Sequence, residues 1–177
     1  MRCWFLAALM LTLAACEQPR QSAEQTTPAP EPVLTGRYLP SSDTALHYTG
    51  GVMIERAGLV FDKGAILYTR ALDPRSGYDL TALGGDSYAA IVLGPSDLTI
   101  ELRRVTQQVL REGAPSLCGE SRPEYVAVAY EARARTITLL VFTGDEPPGP
   151  WATQSRLCAT FGYAAPDGAR TREGVVL

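Results

Sequence analysis

From residue 36 onward, short runs of β-branched, aromatic and aliphatic residues recur between clusters of Gly, Pro, Asp and Ser: GRYL, GVMIER, LVFD, AILYTRAL, SYAAIVLG, EYVAVAYEA, RTITLLVFTG and LCATFGY. Runs of this length bounded by turn formers read as strands, because a pleated surface accepts the branched side chains that crowd a helix. The spacing predicts an all-β fold: a single small antiparallel β-barrel or β-sandwich of about eight strands, with room for one short helix. In EYVAVAY, Tyr125, Ala127 and Ala129 share one face and Val126, Val128 and Tyr130 the other, so this strand is apolar on both sides and central to its sheet. EARAR (131–135) then turns the chain into RTITLLVF, and this hairpin is the expected heart of the core.

The tyrosines at 38, 48, 68, 78 and 88 fall ten or twenty residues apart, but the residues around them do not repeat. Regular strand-and-turn spacing produces such a pattern without internal duplication. Residues 97–112 carry two competing patterns. Leu98, Leu102, Val105 and Val109 fit a helical stripe, whereas Leu98, Ile100 and Leu102 alternate with polar residues as in a strand. The favoured expectation is a strand to about Val105 followed by an irregular link. A helical turn is also allowed at WATQSR.

Before the strands come Met1 and Arg2, an apolar run from Trp4 to Ala15 interrupted by Thr12, and then Cys16. The run has the length and flanks of a secretory signal and is too short to span a bilayer. Leu13-Ala14-Ala15-Cys16 resembles the lipobox of bacterial lipoproteins. That resemblance implies a signal peptide over 1–15, diacylglycerol on the Cys16 thiol, and a further acyl chain such as palmitate on the mature amino group, a multi-chain anchor that holds stably to a membrane. Glu17 in place of aspartate points to the outer membrane, facing the periplasm, over the inner one. Residues 16–34 then form a lipidated, disordered tether rich in Pro, Gln, Thr and Glu. Residues 35–177 make one β-rich periplasmic domain, long enough for a core of its own.

Four cysteines thereby become one pair. Cys3 leaves with the leader and Cys16 takes the lipid, so Cys118 and Cys158 remain, and an oxidising periplasm should bond them. Loss of Arg2 with the leader moves the formal charge from −3 to −4, and Lys63 is the single lysine, a balance that does not attract nucleic acid. The arginines look scattered, as on a solvated sheet face.

Catalytic constellations are scarce. His47 is the one imidazole, no G-x-S-x-G is present, and the cysteine pair leaves no free thiolate in the domain. Asp73, Asp79 and Asp86 in LDPRSGYDLTALGGDSY could pair as acid and base or hold a cation. Aspartates beside Gly and Pro are more commonly turn residues bonding their own backbone. No metal or cofactor is expected.

The candidate contact loop is GDEPPGPW, with Asp145, Glu146, Pro147, Pro148 and Trp151. Its prolines restrict the chain, and Trp151 either folds over an open sheet end as a plug or presents an aromatic anchor. Gly36-Arg37-Tyr38 resembles the Gly-x-aromatic start of lipocalin-type barrels, and Ser76-Gly77-Tyr78 resembles the Ser-Gly and Tyr loop of lipid-anchored bacterial lysozyme inhibitors. No family is recognised for residues 35–177 as a whole. The leading expectation is a non-enzymatic envelope lipoprotein that binds a small apolar ligand or another envelope protein. Its rivals are an inhibitor of a cell-wall-degrading enzyme, a carboxylate-dependent hydrolase or lyase, and a structural spacer.

Overall fold

The computed structural model describes residues 33–166. The expected leader, the expected lipid site at Cys16 and nearly all of the expected tether lie outside the described residues. Nine strands and two helices follow in the order β1 (Gly36–Pro40), α1 (Asp43–Tyr48), β2 (Val52–Glu55), β3 (Gly58–Phe61), β4 (Ala65–Ala71), β5 (Arg75–Ser76), α2 (Tyr88–Val92), β6 (Thr99–Leu110), β7 (Tyr125–Tyr130), β8 (Thr136–Thr143) and β9 (Arg156–Ala164). Eight of the strands hydrogen-bond as β4-β3-β2-β1-β9-β8-β7-β6, and a β4–β6 pairing closes the ring. All of these pairings are antiparallel, so the fold is a closed barrel with no free edge. The two-residue β5 continues the ladder along β6 where β4 leaves it.

Alternation along each strand separates two cores. Val126, Val128 and Tyr130 of β7 meet Ile137, Leu139 and Val141 of β8, with Phe161, Tyr163, Tyr38 and Phe61, inside the barrel. An eight-stranded barrel is just wide enough for such side chains to fill it. Ala127, Ala129 and Tyr125 point outward with Ile100, Leu102, Leu140 and Phe142, and the excursion between β4 and β6 covers them with Tyr88, Ala89 and Leu98. Tyr88 meets Phe142 edge to face, ring centroids 6.3 Å apart. That cover explains why β7 is apolar on both faces.

Three local expectations are corrected. SYAAIVLG is not a strand: Ser87 Oγ accepts from Ala90 N–H at 3.2 Å and starts α2, which ends at Leu93 in the left-handed region (φ 52°). Its Tyr88 and Ala89 pack on the small outward alanines of β7, a demand that arises only once the barrel exists. Helix α1 is likewise capped by Ser42 Oγ, which accepts from Ala45 N–H at 3.1 Å, so there are two short helices and neither lies at WATQSR. Strand β6 does not stop at Val105 but runs to Leu110 against β4. The ladder slips there, with Tyr68 opposite Gln107 and Thr69 opposite Val105, leaving Thr106 as the extra residue of a bulge. The apolar residues also change face just before the bulge, Ile100 and Leu102 lying outward under the excursion and Val105 inward, so the spacing looks helical.

The end at which the chain enters is closed by a buried ion pair. Arg103, 1 % exposed, points inward from β6 and donates to Glu55 O at 2.8 Å, Leu34 O at 3.2 Å and Glu101 Oε2 at 3.0 Å. Glu101 Oε1 accepts from Leu34 N–H at 2.8 Å and from the Tyr130 hydroxyl. Leu34, at the foot of the tether, is thus strapped across the barrel base and buried in its core.

Candidate functional site

Loop 144–155 joins β8 to β9 at the barrel end away from Leu34. It begins at Gly144 (φ 98°), where a Cβ would collide with the Gln154 carbonyl oxygen, so the two stems of the loop can approach only because this residue is glycine. Glu146 turns inward to its own loop: one carboxylate oxygen accepts from Thr153 N–H at 2.7 Å, Gln154 N–H at 3.2 Å and the Thr153 hydroxyl at 3.4 Å. The Tyr125 hydroxyl donates to Asp145 O at 2.9 Å.

Two backbone bonds carry the loop onto the excursion that covers β7. Gly149 N–H donates to Thr81 O at 3.1 Å and Leu83 N–H to Ala152 O at 2.9 Å. Ala152 N–H returns to Gly149 O at 3.0 Å, a tight turn with Trp151 near its tip. The result is an apolar projection: Trp151 is 83 % exposed and Leu83 61 %. The plug reading of Trp151 is therefore incorrect, because β7, β8 and the excursion already fill the outer core. Of the expected contact residues, Asp145, Pro147 and Trp151 face solvent, Pro148 is buried, and Glu146 is part of the loop's frame. Leu83 was not anticipated; it joins the site only through the bond to Ala152, far away in the chain.

Hydrogen bonds from Thr153 and Gln154 backbone N–H groups hold the Glu146 carboxyl below its ordinary value of 4.5. A depressed folded pKa contributes order above the ordinary value and loses it as pH falls through the folded one. Trp151 fluorescence anisotropy in a Trp4→Phe chain is therefore expected to be flat above about pH 5 and to fall in more acidic solution. Glu146→Gln should show the low anisotropy already at neutral pH; an unchanged acid profile in that variant would rule Glu146 out as the clasp.

The remaining candidates do not converge. Asp79 Oδ2 accepts from Ser76 N–H at 3.0 Å, a turn bond within its own loop, while Asp86 is exposed and Asp73 lines a separate cleft. Among the described residues no group of three or more His, Cys, Asp or Glu stands together as a metal site. His47 is exposed on α1. Tyr78 of Ser76-Gly77-Tyr78 is exposed, with its N–H donating to Ser76 Oγ at 3.3 Å.

Cys118 and Cys158 are bonded, tying the β6–β7 connection to the start of β9. Beside the disulfide lies a groove of about 340 Å³, walled by Tyr48 of α1, Leu117, Ala159 and Phe161. Its Leu117 and Phe161 belong to the barrel core, whose interior is filled by aromatic and aliphatic side chains. Comparison with known proteins yields no matching family profile, curated protein or solved structure.

Proposed function

We propose that this chain is a lipid-anchored lipoprotein of the outer membrane, facing the periplasm, whose barrel is a non-enzymatic module for contact with another envelope protein. The observation that carries the reading is Trp151, 83 % exposed on a loop whose backbone is already clasped by Glu146, Thr81 and Leu83. An exposed aromatic on a preordered loop loses little conformational freedom on binding, and tryptophan is enriched among residues that dominate protein interfaces. Leu34 enters at the opposite end of the barrel, which leaves the loop clear of the point where the preceding chain joins.

A second reading, an apolar ligand, is favoured by the groove at the disulfide, whose volume reaches the lower range of small-molecule sites. One experiment separates the two. A photo-crosslinking amino acid is placed at position 151 or at position 48 in the lipidated protein in its native envelope. A discrete protein adduct from 151, absent from 48, is the expected result. Labelling of a small molecule from 48 alone would favour the groove, and no adduct from 151 would sink the platform.

A further inference from the structure

The outer face of the barrel gathers three arginines that the chain keeps apart. Arg70 of β4 lies directly opposite Arg104 of β6, and Arg104 lies opposite Tyr125 of β7, its guanidinium carbon 6.0 Å from the ring centroid. Arg75 of β5 pairs with Ile100 further along the same strand. Arg70 and Arg75, with Leu72, Asp73 and Pro147, line a cleft of about 530 Å³.

No ion pair of the described residues meets this positive charge. The ion pairs of the described residues are Arg37–Asp62, Arg103–Glu101 and Arg122–Glu124, and none involves these three arginines. Arg75 Nε is buried with no hydrogen-bond partner. Like charges directly opposite in a ladder repel, and a buried N–H without an acceptor loses its hydration for nothing. Of the nearby carboxylates, Asp79 is engaged by Ser76 N–H, and Asp73 and Asp145 make no ion pair. An oxyanion accepting from the guanidinium groups would relieve both penalties at once, since their planar N–H donors match carboxylate and phosphate oxygens.

We propose that this cleft binds a small oxyanionic ligand, a carboxylate or a phosphate, beside an apolar portion that packs on Leu72 and Pro147. The inference does not depend on the proposed protein contact at Trp151. It stands on charge and register alone.

The test is calorimetric titration of the full chain with inorganic phosphate and, separately, with benzoate, at constant ionic strength maintained with chloride. Saturable binding of at least one probe with a Kd near about 1 mM is expected, roughly tenfold weaker in Arg70→Gln and in Arg75→Gln. Saturation by phosphate identifies a phosphate site; saturation by benzoate alone identifies a carboxylate site. Arg133→Gln, on the exposed β7–β8 turn, should bind as the wild type does. Without ligand, at low salt, Arg70→Gln should melt at or above the wild-type temperature, because it removes a repulsion, which establishes that weak binding is not misfolding. No saturation by either probe up to about 50 mM overturns the proposal, as does equal binding by wild type and Arg70→Gln, or equal weakening by Arg133→Gln.

Discussion

Arg103→Ala is expected to destabilise the barrel by about 3–5 kcal/mol, the range for removing one partner of a buried ion pair. The substitution leaves the Glu101 carboxylate without its cation and the Leu34 and Glu55 carbonyls without their donors. It also leaves a void where the largest fully buried side chain had been. Urea unfolding followed by far-ultraviolet circular dichroism reads the loss, and amide exchange at Leu34 should accelerate as the strap loosens. The double variant Arg103→Met/Glu101→Leu is expected to recover only part of it: the uncompensated charge is gone, but Leu34 N–H and O, Glu55 O and the Tyr130 hydroxyl lose their partners. A single-variant loss below about 1 kcal/mol would mean that water already reaches the pair.

Removing the disulfide by Cys118→Ala/Cys158→Ala should cost about 4 kcal/mol by the chain-entropy relation for a bridge of sequence separation 40. The expected signature is a lower urea midpoint under non-reducing conditions. The β6–β7 connection is tied to the barrel at its ends, by Arg111 N–H to Gly64 O and Glu124 N–H to Phe142 O, while between them its turn bonds are local, Ala114 N–H to Arg111 O and Ser121 N–H to Cys118 O, around buried Leu117. Without the bridge this wall of the groove should open first, so protection at Leu117 should fall more than protection in β7. Uniform loss across both would show that the bridge acts on the whole barrel through the unfolded chain.

Strand content and the central hairpin were legible because alternation is a local property. Tyr125 to Tyr130 displayed two apolar faces in six residues, and both are buried. The pairing of Cys118 with Cys158, which the structure bears out, was legible by elimination from the expectation that Cys3 and Cys16 belong to a leader and a lipid site. Residues 99–110 misled because the apolar residues change face within one strand, Ile100 and Leu102 outward and Val105 inward, just before the bulge at Thr106. SYAAIVLG misled for another reason: a short apolar run fits either a buried strand or a short helix, and its Ser87 cap is the one local sign that favours the helix.

By itself the sequence determined the β class and the two apolar faces of β7, since these depend on neighbours along the chain. Tertiary structure alone decided that the sheet closes into a barrel, that Trp151 stands in solvent beside Leu83, and that Arg70, Arg75 and Arg104 share a face. Each of those outcomes rests on pairings between residues tens of positions apart. Periodicity states which residues share a face but not what that face will meet.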